Sequence, residues 1–443
     1  MGSSRELSSA LAGGADTIVA RATAAGRGAL AVVRVSGPGT ARVLAAVCPA
    51  VDGARGWTAS LTELHDAAGQ VLDRGVVVVF PSPRSFTGED MVEATVHGSP
   101  YLVERLIEAC VAAGARHAEP GEFTRRAVAN GKLDLVQAEA VRDLVEAETA
   151  WQLRNAREQL GGALSQRFRD LRGELVGLAA TVDAALEFEA QAVVVAETEI
   201  RERAESCLRL LADLEGTATA GARIRDGLGV VILGPPNAGK STLFNYLCGR
   251  ERAIVSPDPG TTRDVVEAEL DVGGVRVVVR DTAGLRESGD AVEEEGRRRA
   301  LQAAASADVV IVLWAADGPP PTAVPSGVPV LQLRSKADLG CESQDGWLPI
   351  SSQTGQGLED FRRRLTEIVL GDVPDLGGAV AVASRHRASL ERARVAIEGA
   401  DWSCPELAAE DVRWALRAAE ELFGEVDDEA LLDEVFAAFC VGK

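Results

Sequence analysis

Hydrophobic positions follow different repeats in different parts of the chain, and each repeat predicts its own kind of structure. Between residues 16 and about 130, the apolar runs 29–35, 75–80 and 91–96 predict strands. Residues 101–113 carry apolar side chains at helical spacing and predict a helix. Together these elements predict a compact α/β domain at the start of the chain.

A helical pattern follows, and it is interrupted once. From residue 131 to about 224, apolar residues such as Leu135, Ala138 and Val141 recur every three or four positions, which predicts long antiparallel helices. Strand–helix alternation then runs from Val230 to about Leu370, and the helical pattern returns after Arg385. We therefore expect an α/β module inserted between two helical segments that pack together.

Length and charge limit the functional classes. The chain has 443 residues, which is too many for a single ordinary hydrophobic core. At roughly 150 residues per domain, we expect about three domains. The net charge of −21 argues against binding nucleic acid over the whole surface. No apolar run is long enough for a membrane span, and residues 1–10 lack the basic-then-apolar order of a signal peptide. We therefore expect a cytoplasmic protein without a membrane partner.

The cysteines indicate neither a disulfide framework nor a zinc site. Seven are present, an odd number, and none forms a Cys-x-x-Cys pair. We expect six of them to be small buried residues, and only Cys440 needs another explanation.

A phosphate-binding loop follows the apolar strand 230–233. The segment Gly234-Pro-Pro-Asn-Ala-Gly-Lys-Ser241 precedes a helical stretch, and its glycines let backbone amides surround phosphate oxygens. Lys240 reaches the terminal phosphates and the Ser241 hydroxyl binds Mg²⁺. The predicted contacts here are Asn237, Ala238, Gly239, Lys240, Ser241 and Thr242.

Downstream segments complete a GTP site in the expected order. Asp281-Thr-Ala-Gly284 follows a strand and places a carboxylate near Mg²⁺, and Thr262 in Gly260-Thr-Thr-Arg-Asp264 is the predicted second magnesium ligand. Asp338 in Ser335-Lys-Ala-Asp338 can accept two hydrogen bonds from the N–H groups of guanine, so the base is guanine. Further predicted contacts are Thr282, Ala283, Lys336, Ala337, Ser351, Ser352 and Gln353.

Two departures from the usual GTPase motifs change the expected behaviour. Ser335 stands where the guanine motif has asparagine, and a shorter side chain predicts weaker nucleotide binding with guanine specificity kept through Asp338. Leu285 stands where Ras-like switches carry the glutamine that orients the attacking water. Another device must therefore organise hydrolysis.

Together with these motifs, further stretches of the chain resemble the MnmE/TrmE family of tRNA-modification GTPases, and the resemblance covers nearly the whole chain. The similar stretches are Asp16-Thr-Ile-Val19, Gly26-Arg-Gly28, Ser85-Phe-Thr-Gly-Glu-Asp90, Pro120-Gly-Glu-Phe123, Lys132-Leu-Asp-Leu135, Gln137-Ala-Glu-Ala140, Gly260-Thr-Thr-Arg-Asp264 and Cys440-Val-Gly-Lys443. The resemblance implies a fold of class α/β + α. Its domains are a folate-binding and dimerising α/β domain (12–130), a helical domain in two segments (131–224 and 373–443) and an inserted Ras-like G domain with a mostly parallel sheet (225–372).

The resemblance also implies partners and chemistry. Family members form homodimers and a heterotetramer with the flavoprotein MnmG (GidA). That complex adds an aminomethyl or carboxymethylaminomethyl group to C5 of the wobble uridine of certain tRNAs. The one-carbon unit comes from 5,10-methylene-tetrahydrofolate, of which 5-formyl-tetrahydrofolate is an analogue.

Site residues are implied residue by residue. G domains of the family dimerise when GTP is bound, and they bind K⁺ where other GTPases use an arginine finger. Glu293 matches the family's glutamate that helps to orient the attacking water. The alternative interpretation of Glu293 is an exposed carboxylate at the start of a helix. Here K⁺ would contact Asn237, Ser256, Asp258 and Thr261, and the nucleotide loop would include Pro257, Pro259, Gly260 and Thr261.

The implied folate contacts are Arg34, Glu93, Lys132 and Lys443, although each alone would be interpreted as a surface ion pair. A pterin edge suits Glu93, and glutamyl carboxylates suit arginine or lysine. Cys440 is either a nucleophile or a residue that lines the folate pocket. For the tail, a helix C-cap with a left-handed Gly442 explains the glycine and the lysine, though not the cysteine.

Two other functions share the nucleotide motifs. One is a regulatory GTPase of ribosome assembly, although such proteins usually append a basic RNA-binding module and the C-terminal half here is acidic. The other is a folate-binding module that uses GTP only for assembly.

Overall fold

The structure is a computed structural model that describes residues 16–53, 55–188, 197–250, 252–253, 266–281, 303–321, 327–340, 346–371, 384–423, 435–437 and 439–442. The chain divides into two compact units. The first contains segments 1–142, 159–203 and 399–443, and the second contains 143–158 and 204–398. The second unit thus includes residues 143–158 and 204–224, which are predicted to belong to the helical domain. The domain boundaries given above therefore remain a prediction.

A six-stranded sheet forms the centre of the first unit. Its order is β3-β4-β5-β2-β1-β6, and only the β1–β6 pair is parallel. The strands are β1 (Thr17–Arg21), β2 (Leu30–Ser36), β3 (Ala59–His65), β4 (Val71–Phe80), β5 (Met91–His97) and β6 (Ala115–His117). The predicted strands 29–35, 75–80 and 91–96 are confirmed.

Alternation along β2 and β5 separates the two faces of this sheet. Val33 and Val35 of β2 and Ala94 of β5 are buried in one core with helices α1 (Thr40–Val47) and α2 (Pro100–Ala112). Arg34 and Glu93 point to the other face and are direct cross-strand partners. A charged pair is thereby fixed on the face that the two helices leave open.

Five helices continue the chain: α3 (Glu122–Ala129), α4 (Leu135–Glu146), α5 (Ala150–Leu160), α6 (Ala163–Phe188) and α7 (Glu197–Asp226). Two side chains cap α4 reciprocally, because the Gln137 amide donates to Asp134 Oδ1 at 2.9 Å and the Asp134 amide donates to Gln137 Oε1 at 3.0 Å. The predicted long helices are confirmed. On α6 the buried residues repeat at spacings of three and four: Leu164, Phe168, Leu171, Leu175, Leu178 and Val182.

The second unit contains a seven-stranded sheet of order β13-β12-β11-β7-β10-β9-β8. The five strands β13, β12, β11, β7 and β10 are parallel to one another. Strands β9 and β8 follow β10 at one edge of the sheet, and each is antiparallel to the strand before it in this order. Helices α8 (Lys240–Arg250) and α9 (Leu358–Gly371) accompany them. The strands are β7 (Leu228–Leu233), β8 (Arg252–Ala253), β9 (Val266–Val272), β10 (Val275–Asp281), β11 (Val309–Ala315), β12 (Val330–Ser335) and β13 (Leu348–Pro349).

Burial on both faces explains the apolar strands of this sheet. The residues of β11 from Val309 to Leu313 are all buried, as expected for a central parallel strand. Strand β7 lies between β10 and β11, so the strand order reverses next to it. Ligands bind outside the carboxyl ends of strands at such a point, and the loop 234–239 leaves β7 there.

Helices α10 (Ser384–Gly399) and α11 (Pro405–Glu421) confirm the predicted return to helix. In the first unit, α11 packs on α6, and the Phe168 ring lies 6.2 Å from the Phe423 ring just beyond it. Within the part of the chain that the structure describes, no helix is both long and apolar enough to span a bilayer.

Candidate functional site

The loop between β7 and α8 has the backbone shape of a phosphate cradle. Gly234, Asn237 and Gly239 have φ values of +156°, +59° and +92°, which turn the chain tightly around the start of α8. A Cβ on Gly234 would lie 2.7 Å from the Leu313 carbonyl oxygen, so only glycine fits there. The loop thus meets the steric requirement predicted from its sequence.

Three polar side chains surround this cradle. Lys240 is buried, and its Nζ donates to the carbonyl oxygens of Gly234 at 2.8 Å and Pro235 at 3.0 Å. Ser241 and Thr242 are exposed in the first turn of α8, where helix amides favour anions. A lysine and a hydroxyl at a helix N-terminus suit phosphate oxygens and a phosphate-bound Mg²⁺.

The predicted base-binding segments lie beside this loop. Ser335 ends β12, and its buried hydroxyl donates to the Ala238 carbonyl oxygen at 2.6 Å. Asp338 lies in a 3₁₀ turn, and its carboxylate is exposed to solvent. Lys336 has a φ of +59° and forms a 2.9 Å ion pair with Asp317. The carboxylate is accessible to a base, and Ser335 connects this segment to the phosphate loop.

The 351–353 segment is joined to the same turn. The Ala337 amide donates to the Ile350 carbonyl oxygen at 3.0 Å. Ser351 is buried, and its hydroxyl oxygen accepts hydrogen bonds from the amides of Gln353 at 3.3 Å and Thr354 at 3.2 Å. Ser351 therefore shapes the loop, while the Gln353 side chain is exposed.

Several predicted residues lie outside the described residues. They are Ser256, Pro257, Asp258, Pro259, Gly260, Thr261, Thr262, Thr282, Ala283, Gly284, Leu285, Glu293 and Lys443. Asp281 is described as the last residue of β10, which agrees with its predicted position at a strand end.

A second candidate site lies on the open face of the N-terminal sheet. Arg34 Nη2 lies 2.7 Å from Glu93 Oε1, and the two side chains are 19% and 25% exposed. The Arg34 guanidinium also lies 5.4 Å from the Phe86 ring centroid and 5.5 Å from that of Phe123. Aromatic rings and a salt bridge therefore fix the orientation of the two charges.

Glu93 and Lys132 line one pocket of about 480 Å³, which the structure places beside Arg34. Lys132 is exposed and donates to the Pro83 carbonyl oxygen at 3.1 Å. The other lining residues are Trp57, Phe80, Arg84, Ser85, Phe86 and Met91. An apolar wall with a few convergent charges is typical of a site for an organic cofactor, and its volume suits a drug-sized ligand.

The C-terminal tail reaches this face of the sheet. Phe436 and Phe439 pack in a cluster with Leu135 and Ala138, and Val441 forms a β-bridge with Pro120. The Gly442 carbonyl oxygen accepts a 3.5 Å hydrogen bond from Arg34 Nη1. Gly442 in the tail thus contacts Arg34, one of the predicted folate-binding residues.

The structure corrects the helix-cap interpretation of Gly442. Residues 435–437 are helical, whereas Gly442 lies five positions beyond them with a φ of +98°. A Cβ on Gly442 would overlap the Arg21 carbonyl oxygen, so this glycine allows close approach to the end of β1. Its left-handed conformation docks the tail and does not cap a helix.

The sequence did not reveal the buried charge network beside this site. Arg126 is 2% exposed, and its guanidinium contacts Asp16 at 2.8 Å, Glu122 at 2.9 Å and Glu89 at 3.2 Å. Glu89 also accepts a 2.8 Å hydrogen bond from Ser36. The stretches 85–90 and 120–123 had supported the family resemblance, but no signal in them indicates that their glutamates share one arginine.

Glu122 is the most constrained acid of this network. Burial alone would raise the pKa of its carboxyl, but hydrogen bonds from Arg116, the Glu119 amide and Arg126 outweigh that effect and hold the pKa below its usual value. Its neighbour Gly121 donates to the Cys440 carbonyl oxygen at 3.5 Å. The network therefore holds the turn on which the tail docks.

The cysteine prediction is confirmed only in part. Cys48, Cys110 and Cys207 are buried and Cys440 is exposed, but Cys248 and Cys404 are only half-buried, and Cys341 lies outside the described residues. Among the described residues, no group of three or more histidine, cysteine or acidic side chains has the arrangement of a metal site.

The parallel sheet, the glycine-rich loop with Lys240 and the exposed Asp338 define a P-loop nucleotide-binding domain within a larger α/β and helical chain. Two family models match the chain: the GTP-binding protein TrmE N-terminus over residues 17–132, and the MnmE helical domain over residues 135–440, a range that contains the P-loop domain. The chain belongs to the MnmE/TrmE family.

Relatives match over the full length. The chain is 40% identical to the tRNA modification GTPase MnmE of Xanthomonas campestris pv. campestris, covering 96% of this chain and 99% of that protein. It is 44% identical to that of Phenylobacterium zucineum, covering 97% of this chain and all of that protein. The predicted fold class is confirmed.

Proposed function

We propose that this chain is a GTP-hydrolysing enzyme of tRNA modification that adds an aminomethyl or carboxymethylaminomethyl group to C5 of the wobble uridine. The observation that carries the proposal is the 40–44% identity, over at least 96% of this chain, to relatives named tRNA modification GTPase. A phosphate loop with Lys240 in place supports the hydrolytic half of this function.

The proposed GTP site uses the β7–α8 loop and the turn around Asp338 that follows β12, which we call the base turn. Lys240 and the loop amides would bind the phosphates, and Asp338 would accept the N–H groups of guanine. Ser241 and Thr262 would hold Mg²⁺, which neutralises phosphate charge when bound. The exposed Asn237 fits one contact of a K⁺ site that would also use Ser256, Asp258 and Thr261.

Glu293 would orient the attacking water in place of the missing glutamine. Leu285 stands at the position of that glutamine, and its side chain has no polar atom to hold a water. A fixed cation and one carboxylate would then replace the arginine finger and the glutamine of other GTPases.

The folate half uses the pocket of the first unit. Glu93 would accept hydrogen bonds from the amide and amino edge of a pterin, and Arg34, Lys132 and Lys443 would bind anionic groups. The cofactor supplies a one-carbon unit when bound. The exposed thiol of Cys440 in the docked tail supports a role at the pocket, either as a nucleophile or as a lining residue.

The partners follow from the same proposal. We propose a homodimer held by the N-terminal domains (12–130), a heterotetramer with the flavoprotein MnmG (GidA), and tRNA as substrate, all in the cytoplasm. The inserted G domain would span 225–372 between helical segments 131–224 and 373–443.

Mass analysis of tRNA nucleosides tests this function. A deletion strain should lack the modified wobble uridine, the wild-type gene should restore it, and Lys240→Ala should not. A strain that keeps the modification but accumulates immature ribosomal subunits would favour the alternative of a ribosome-assembly GTPase. Full modification with the hydrolysis-deficient variant Glu293→Ala would favour a folate-binding module that uses GTP only for assembly.

A further inference from the structure

The pocket of the first unit is lined by charges of both signs. The Glu93 carboxylate, paired with Arg34, is the only negative group among the described lining residues, and its side chain is 25% exposed. The lining also contains two cations, Arg84 and Lys132, and both side chains are exposed. A ligand with a hydrogen-bond-donating ring and an anionic arm would match this arrangement with its ring against Glu93 and its arm towards the exposed cations.

An exposed aromatic ring lies beside one of these cations. Trp57 is 54% exposed, its ring contacts Phe80 edge-on at 5.1 Å, and the Arg84 guanidinium lies 6.0 Å from its centroid. Large exposed rings are costly in water, whereas a flat ligand that covers Trp57 would remove that cost.

The backbone at Trp57 is strained in a way that serves the same arrangement. Its φ is +63°, a value that bulky residues rarely adopt, and its amide donates to the Val79 carbonyl oxygen at 2.8 Å. Strain of this kind persists where surrounding contacts hold it, and it is concentrated at ligand sites. The hydrogen bond and the Phe80 contact keep the ring at the pocket.

We infer that Arg84, with Lys132, forms a carboxylate-binding rim that selects a polyglutamylated folate, and that Trp57 is the aromatic platform on which its ring system rests. The inference rests on the proposed function, because it names the form of the folate that this pocket takes. A monoglutamate arm offers two carboxylates, and each added glutamate supplies another anion within reach of the rim. Both cations lie at the solvent-exposed surface, so the effect is electrostatic and sensitive to salt.

Calorimetric titration of the full-length protein with 5-formyl-tetrahydrofolate in its monoglutamate and triglutamate forms tests the inference. Wild type should bind the triglutamate about tenfold more tightly at low salt, and the ratio should fall as salt is raised. Arg84→Gln should reduce the ratio to about twofold and Arg84→Lys should keep most of it. Trp57→Ala should weaken both forms equally, whereas Trp57→Phe should retain affinity.

The control is Arg55→Gln, because Arg55 is exposed, lies two positions from Trp57 and does not line the pocket. It should leave both affinities unchanged. Equal binding of the two forms by wild type, or equal ratios in Arg84→Gln and Arg55→Gln, would overturn the inference and leave the proposed function standing. If wild type binds neither form, the folate half of the proposed function fails and the inference fails with it.

Discussion

The hydroxyl of Ser335 and the main-chain carbonyl of Ala238 form a 2.6 Å hydrogen bond that joins the base turn to the phosphate loop. Both residues are buried, so the bond is shielded from water. The serine that stands in place of the usual asparagine therefore connects the two segments of the predicted nucleotide site.

Ser335→Ala should lower the affinity for GDP and GTP by about tenfold. Removal of the hydroxyl leaves the Ala238 carbonyl buried without this partner, at a cost of about 1–2 kcal/mol. Nucleotide dissociation measured with a fluorescent analogue checks it, with Ser306→Ala, at an exposed position of the same unit, as the control. Ser335→Asn is the companion variant, and unchanged dissociation there would contradict the expectation that serine weakens nucleotide binding.

Asp338→Asn should lower the affinity for guanine nucleotides by about 100-fold, because a bidentate contact to a base edge is worth a few kcal/mol. Xanthine nucleotides, which carry a carbonyl where guanine has its amino group, should recover part of the loss. Binding of GDP and XDP to both proteins gives the measurement. The matched variant Asp360→Asn alters an exposed acid on α9 and should change neither affinity. No preference shift towards XDP would exclude Asp338 as the base contact.

The rate of GTP hydrolysis in KCl should be at least about tenfold higher than in NaCl at equal ionic strength. The reason is that a fixed K⁺ beside the phosphates would replace the arginine finger of other GTPases. Asn237→Ala should remove the difference while nucleotide binding persists. Steady-state turnover in both salts checks this. Equal rates in wild type would rule out a size-selective cation site.

Gly442→Ala should abolish tRNA modification and leave basal GTP hydrolysis within about twofold. An added Cβ would overlap the Arg21 carbonyl oxygen and displace the tail, whereas the phosphate loop lies in the other unit. Val441→Ala is the control, since that side chain is exposed. If Gly442→Ala modifies tRNA normally, tail docking is not required.

Cys440→Ser separates the two roles of the thiol in the same assay. Loss of modification with the tail still docked is expected for a nucleophile. Full activity in this variant would remove the nucleophile role and leave only a pocket role.

Glu122→Gln should destabilise helix α3 by about 2–3 kcal/mol at pH 7, because it leaves buried Arg126 with less compensating charge. The pKa of Glu122 is depressed in the folded protein, so its contribution is present above the usual value of 4.5 and is lost as the pH falls through the folded pKa. The difference between wild type and variant should therefore shrink in acid.

Hydrogen exchange of the α3 amides, normalised for intrinsic rates, measures this difference at several pH values. Glu104→Gln, at an exposed position on α2, is the control and should match wild type throughout. A gap between wild type and Glu122→Gln that stays constant from pH 7 to pH 3.5 would mean that Glu122 is not charged in the network.

The parts of the fold and of the nucleotide site that could be predicted are formed by residues close together in the sequence. The strand 228–233, the glycine loop and helix 240–250 are contiguous, so their residues record the backbone shape directly. The capping box of Asp134 and Gln137 is likewise local, and its spacing could have predicted where α4 begins. Family resemblance supplied Arg34, Glu93 and Lys132 without their geometry.

The α/β and helical periods and the phosphate loop could be predicted from the chain alone, because each depends on neighbours within a few positions. Which distant residues meet became visible only in the folded protein. Arg34 and Gly442 are 408 positions apart, and Arg126 and Asp16 are 110 apart, yet each pair makes a direct polar contact. No local repeat encodes such pairs, since their partners are set by strand order and by the path of the tail.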